Sequence, residues 1–510
     1  DPGCYKTSLA NMAAATPASI SAVAKAWLTP NHYTLTIVPF DDYKAGTARV
    51  DRSKGVPETA QFPDLVFPTI QRGKLKNGIE VVLAERHEVP VVQMRMIFDA
   101  GYAADQGRKL GTASFAMNML DEGTRSLDAV AIAARAESLG AQIGVYNALD
   151  VSGATLSALK AELDGSLALF ADVVRNPTFD AAEMERVKGQ WMAQIAQEKT
   201  SPNALGMRVL PPLLYGEGHA YAIPLTGSGT EASIMSLTSD DLVEFHRSFV
   251  RPDNARIIVV GDTTLAEITA KLDREFGHWP VDKMLRAPKN IAEVAVQAKP
   301  RVFLIDKPNA EQSVILAGRV IPSTKAADRL VTQTANSVFG GAFTARINMN
   351  LREDKHWAYG AYSYSNAALG QRPLMASAGV QSDKTIDSIK ELQREFVEFV
   401  GARPATSEEI TKVKNDDIRS LPGSFETASS VLGAITDMVV FDRPDDYVQT
   451  LKASIEAQSE IDIRAAAQQY FQPDALTWVV VGDLSKIEAG IRALNLGEVK
   501  VLDADGKILR

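Results

Sequence analysis

Six histidines (32, 87, 219, 246, 278 and 356) and a single cysteine, Cys4, carry most of the soft-ligand chemistry open to this 510-residue chain. No two histidines stand three to five residues apart. A helix that holds Zn²⁺ through a histidine pair on one face, with a glutamate beside them as general base, is therefore not encoded. One cysteine excludes an intrachain disulfide framework and a cysteine-rich metal site. No Ser-His-Asp or Cys-His constellation is discernible. What is left is Arg352 and Tyr359, in the string LREDKHWAYGAYS at 351–363. Their spacing lets Arg352 finish a helix and Tyr359 begin the next strand, so that the two side chains converge. Arginine offers a fixed fork of donors and tyrosine a phenolic donor. Donors of this kind suit developing negative charge. A helix C-terminal dipole and a strand also favour these two residue types for purely structural reasons.

The elements that must position this pair emerge from internal repeats. TPASISAVAKAWLTPNHYTLTIV (16–38), LTSDDLVEFHRSFVRPDNARIIVVGD (237–262) and EIDIRAAAQQYFQPDALTWVVVGD (460–483) share one pattern. Each opens on a helix N-cap residue: Thr16, Ser239, Asp462. Each carries an aromatic near the helix end: Trp27, Phe249, Phe471. A proline then stops the helix (Pro30, Pro252, Pro473). The short apolar runs 35–38, 257–260 and 478–481 read as buried strands. The prolines lie 222 and 221 residues apart. A second pair of strings, 181–195 and 407–421, places Glu183 and Glu409 at a separation of 226.

This arithmetic predicts five segments. Residues 1–45 are the C-terminal remnant of an upstream domain, and 46–68 a linker rich in Asp, Lys, Gly and Pro. Residues 69–286 and 301–510 are two complete copies, joined by a second linker at 287–300. Asp1 is not a start methionine and no signal peptide follows it, so the chain reads as the downstream part of something longer. Within a copy, 75–86 reads as a hairpin with Asn-Gly at its turn, and 89–101 as a strand. Residues 126–140 read as a helix closed by glycine, 143–159 as two strands, and 162–177 as a helix stopped by Asn-Pro. Grouped strands and grouped helices give an α+β fold, a sheet with helices packed on one face.

Composition agrees. The 45% hydrophobic and 23% charged fractions are those of a globular protein. A formal charge of −9 argues against a nucleic-acid binder. No apolar run reaches the ~18 residues of a membrane-crossing helix.

Four strings, in order along the chain, resemble the pitrilysin/insulinase family of zinc metallopeptidases, which includes mitochondrial processing peptidase. They are LKNGIEVVLAER (75–86), FDAGYAADQGRKLGTASFAMNMLDEGT (98–124), FADVVRNPTFDAAEMERVKGQ (170–190) and LREDKHWAYGAYS. The resemblance implies two homologous sheet-plus-helix domains with ferredoxin-like sheets, preceded by the tail of a third. The family signature is an inverted His-x-x-Glu-His helix. Here Ser114 and Asn118 stand at the histidine positions and Met117 at the general base. The third ligand, a glutamate, falls on Ala193 or Gln194. The second copy holds only His356 and no ligand pair.

The resemblance therefore implies a non-catalytic half, without metal or cofactor of its own and inactive alone. Zinc is expected in an upstream or partner catalytic half. The two halves would close as a clam shell around unfolded peptides. Arg352 and Tyr359 would bind substrate carbonyls and the tetrahedral oxyanion. Bacterial relatives suggest a periplasmic location, with the cytoplasm as the alternative. A structural scaffold subunit and a chaperone-like peptide binder without a catalytic partner are the competing readings. His219 reads as structural, Asp121-Glu122 as a solvated helix end, and Gly340-Gly341 as a close-packing or turn element. Tyr362 and Tyr364 either line a peptide cleft or alternate along the sheet.

Overall fold

A computed structural model describes residues 3–31, 33–36, 62–281 and 288–510. Residues 1–61 and 62–510 form separate compact units. Among its described residues the first unit holds two helices, Cys4–Ala13 and Pro17–Trp27. Thr16 caps the second through a reciprocal hydrogen-bonded box with Ser19. The strand expected at 35–38 is not formed at its two described residues, Leu35 and Thr36. Leu35 is exposed, and an apolar run without a neighbouring strand has no ladder to join. Its last two residues, and most of the 46–68 stretch, lie outside the described residues.

The second unit contains two six-stranded sheets. The first is built from β1 (Ile70–Lys74), β2 (Glu80–Glu85), β3 (Val91–Asp99), β4 (Gln142–Asn147), β5 (Val151–Leu159) and β6 (Ala255–Gly261). The second is built from β7 (Arg301–Asp306), β8 (Gln312–Ile321), β9 (Ala358–Ser365), β10 (Arg372–Gln381), β11 (Thr477–Gly482) and β12 (Glu498–Leu502). Their orders are β1-β2-β6-β3-β5-β4 and β12-β7-β11-β8-β10-β9. The repeat is thus visible strand by strand. β2 runs parallel to β6 as β7 does to β11, and the three remaining inner pairings of each sheet are antiparallel. The copies differ at one edge. β1 adds antiparallel to β2 through the expected Asn-Gly hairpin, with Gly78 at φ +94°. β12, from the C-terminus, adds parallel to β7.

The strand runs are continuously apolar because both faces of each sheet are covered. Val81 and Leu83 enter one core, while Val82 and Ala84 enter another. Leu304 and Phe303 divide in the same way. The covering helices are exchanged between the copies. The helix Pro202–Tyr215, from the first copy, packs on β8 and β11 of the second sheet. The helix Ala428–Val440, from the second copy, packs on β3 and β6 of the first. Each fully buried leucine or valine of these faces contributes ~1.5–3 kcal/mol, so the exchange ties the stability of each sheet to the other.

Helix starts are shifted slightly from expectation. Thr238 caps the Ser239–Phe249 helix, with Asp241 completing the box. Ser459, not Asp462, caps Glu460–Tyr470, and Asp462 is the residue whose N–H it receives. Of the 287–300 stretch, residues from Pro288 on are described and form neither helix nor strand, yet they are firmly held. Lys289 Nζ donates to the Ala100 and Asp150 carbonyls at 3.0 and 2.9 Å and pairs with Asp99 at 2.6 Å. Val294 N donates to Gln371 Oε1 at 2.7 Å.

Candidate functional site

The helix at the family's zinc position is short, Thr112–Asn118. Gly111 precedes it at φ +90°, where a side chain would meet Ile234 and the Ser228 carbonyl. The helix start is held by a buried carboxylate rather than by a cap. Asp105, 2% exposed, accepts N–H from Gly111 at 2.7 Å and from Ala113 at 2.8 Å. Burial pushes its pKa up to about 7, against the opposing pull of those two N–H groups.

The four motif positions are not brought together as a ligand set. Met117 is 1% exposed and belongs to the core. Asn118 is exposed. Ser114 is half-buried and tied to the edge strand β4. In the orientation that satisfies every partner, the Asn147 side-chain oxygen accepts from Ser114 Oγ at 2.9 Å and from Ser114 N at 3.1 Å. Gln194 lies exposed on the helix Ala181–Thr200, its amide 3.3 Å from Glu198 Oε1, and Ala193 is exposed beside it. A hydroxyl, a thioether and two amides do not make a Zn²⁺ site. Among the described residues no group of three His, Cys, Asp or Glu could hold a metal ion.

His219 is held in the fold. His219 stacks on Tyr215 at 4.8 Å, donates from Nε2 to the Ala292 carbonyl and accepts from Tyr221 N. Burial lowers its pKa, which keeps it neutral and structural. The Asp121-Glu122 pair is only half exposed. Glu122 binds Arg186, and burial raises the pKa of Asp121. A solvated helix end was expected there, but the loop is folded back onto the Ala181–Thr200 helix.

Arg352 and Tyr359 do converge. Arg352 sits in a widened helical turn, Met349–Asp354, with i→i+5 geometry. Asn350 anchors that turn by donating to Glu391 and Glu395, both at 2.8 Å. The chain reverses through His356, at φ +59°, whose ring nitrogen lies 3.1 Å from the Arg352 carbonyl. β9 then begins, and the Arg352 guanidinium lies 5.2 Å from the Tyr359 ring centroid and 4.8 Å from that of Phe343. At this partly exposed site each stack is worth ~0.5–1 kcal/mol. Tyr359 is 86% exposed. Its hydroxyl has no hydrogen-bond partner among the described residues. β9 is the outer strand of its sheet, so its free edge can accept another strand.

Gly340 explains how close the supporting helix comes. A Cβ there would lie 2.7 Å from Ser363 N of β9. Gly340 thus serves helix-to-strand packing, whereas a Cβ at Gly341 would meet Asn336 of the preceding helix. Tyr364 reaches Met207 of the exchanged helix, its hydroxyl 3.6 Å from sulfur, while Tyr362 stays partly exposed. Sequence reasoning missed the helix exchange and a group of arginines (319, 329, 372 and 443) scattered over the second copy. No shared motif marks them.

Comparison with known proteins agrees with this picture. The family model "Insulinase (Peptidase family M16)" matches residues 80–218, and "Peptidase M16 inactive domain" matches 236–416. The non-peptidase homolog YmxG of Helicobacter pylori is 23% identical over 415 residues, covering 80% of this chain and 93% of that protein. The M16 inactive-domain structure from Pseudomonas fluorescens aligns with TM-score 0.75 and 26% identity, covering 81% of this chain and 98% of that one. The periplasmic protease PqqL of Escherichia coli aligns with TM-score 0.67 and 16% identity; 84% of this chain covers 49% of it. The chain belongs to peptidase family M16, the pitrilysin/insulinase family, as a member without the zinc-binding motif.

Proposed function

We propose that this chain is the metal-free half of a two-part zinc peptidase, closing around unfolded peptides and presenting Arg352 and Tyr359 to the catalytic half. One observation carries the reading: an exposed tyrosine hydroxyl without a partner among the described residues, seated on a stacked arginine, at the start of a sheet-edge strand. An extended peptide adding to β9 would gain main-chain hydrogen bonds with little sequence preference. Its carbonyls would then lie beside two donors suited to an oxyanion. Zinc and its general base would come from an upstream or partner half of the same family. That the full PqqL is about twice the length of the aligned region supports such a pairing, and its description as periplasmic favours the same compartment for this chain.

The test is zinc content and peptidase activity, with and without a catalytic M16 partner. The chain alone should bind no stoichiometric zinc and cleave nothing. Cleavage should require the partner and fall when Arg352 or Tyr359 is replaced. Stoichiometric zinc within residues 70–510 would overturn the reading. Partner activity untouched by Arg352→Ala would leave a scaffold role instead.

A further inference from the structure

Two adjoining cavities lie beneath the start of the second copy's helical layer. One, of about 410 Å³, is lined by Arg329, Arg372 and Arg443 with Thr332, Asn336 and Ser365. The other, of about 440 Å³, shares Arg329, Arg443 and Asp437 with it. These volumes suit a small ligand.

The charges on the walls do not balance. Arg372 is 8% exposed, and its guanidinium donates only to neutral acceptors: the Pro322 carbonyl at 3.0 Å and Ser365 Oγ at 2.9 Å. Arg329 donates to Gln333 and the Tyr447 hydroxyl. Arg443 lies over Tyr447 at 4.6 Å and Phe441 at 5.3 Å. None of the three forms an ion pair within 4 Å among the described residues. Asp437 is the only acidic residue on the walls of either cavity besides Asp417. Behind them Arg319, 6% exposed, leaves Nε and Nη1 without partners, and Thr332 Oγ1, 4% exposed, has none either. Burial, and then the repulsion of Arg329 and Arg443, pulls the Arg372 pKa down to about 10, with Asp328 and Tyr470 opposing. Buried guanidiniums without counter-charge are costly, and the forked donors match oxyanions.

We propose that this arginine-lined cavity is a binding site for a small dianion, either a free phosphate or the paired carboxylates of an acidic peptide segment. On the walls of the 410 Å³ cavity three guanidiniums face one carboxylate, Asp437; Asp417 on the adjoining cavity and Asp328 behind Arg372 offset part of the excess, and an anionic ligand neutralises the rest. The site stands whether or not the chain assists a peptidase.

The full chain is titrated calorimetrically with inorganic phosphate, with N-acetyl-Glu-Glu-amide and with N-acetyl-Gln-Gln-amide. Saturable binding is expected for at least one of the two anions and not for the neutral dipeptide. Whichever binds more tightly identifies the source. Affinity should fall at least tenfold in Arg443→Gln, at a half-exposed position, and in Arg372→Gln, each checked to be folded by circular dichroism. The bound anion should also raise the melting temperature of the wild type and not of Arg443→Gln. Absence of binding by both anions, or binding unchanged in Arg443→Gln, would overturn the proposal.

Discussion

Gly206 of the Pro202–Tyr215 helix faces Leu316 of β8, and a Cβ at Gly206 would fall inside the van der Waals envelope of Leu316 Cδ1. Leu316 is fully buried, so its side chain can move only by displacing its packed neighbours. The first copy's helix thus packs on the second copy's sheet with the place of a side chain at 206 taken by Leu316. Gly206→Val should cost ~1–3 kcal/mol by overpacking. Because this contact joins the copies, the loss should appear in probes of both sheets during urea unfolding. A loss confined to one sheet would show that the exchanged helix does not couple them.

Asp105 makes stability depend on pH. Its folded pKa is raised from the ordinary 3.8 to about 7, so the folded state binds the extra proton between those values. Stability from this group is therefore full at low pH and is lost as pH rises toward and through about 7. The shift corresponds to about 2–4 kcal/mol. Asp105→Asn should flatten the slope of unfolding free energy between pH 4 and 7, measured by urea denaturation. An unchanged slope would mean that the two backbone N–H groups hold the carboxylate ionised.

Arg208 is 4% exposed and pairs with Glu198 at 2.7 Å, while donating to Ser228 Oγ and the Gly229 carbonyl. It pins the 216–230 loop to the Ala181–Thr200 helix. Arg208→Ala strands Glu198 in a half-desolvated site and should destabilise by ~3–5 kcal/mol. A conservative Arg208→Lys keeps the charge but loses the fork, and should recover part of the loss. Thermal melts of the two variants provide the comparison.

Much of the strand framework was legible because its cause is local. Asn77-Gly78 forces a turn, Pro252 and Pro473 end helices, and β-branched runs such as 257–260 need burial on both faces. The convergence of Arg352 and Tyr359 was legible for the same reason, since only seven positions separate them. The exchange of helices was not, because Leu210 and Met207 carry no mark of which sheet they cover. Nor were the partners of Ser114, as Asn147 is brought to it only by the pairing of β4 with β5. The 287–300 stretch read as a linker from its place between the two copies, yet Lys289 finds its acceptors at Ala100 and Asp150, far away in sequence. The arginine cavity was hidden in the same way. Arg329, Arg372 and Arg443 belong to different elements, and only tertiary packing places them on one wall.

Tyr359 and Arg352 separate a functional role from a structural one. Tyr359 is exposed and its hydroxyl meets no hydrogen-bond partner among the described residues, so Tyr359→Phe should leave the melting temperature unchanged. Arg352→Ala removes two ring stacks from a partly exposed turn and should cost no more than ~1–2 kcal/mol. Against a catalytic M16 partner, each donor that meets the tetrahedral oxyanion is worth ~10²–10³ in turnover. The predicted signature is a fall in kcat of that order for Tyr359→Phe, with KM little altered and the fold intact. Arg352→Lys should not rescue Arg352→Ala fully, because an ammonium lacks the planar fork. If both variants keep full partner-dependent activity, the pair is a stacking device at the start of β9 and the chain acts as scaffold.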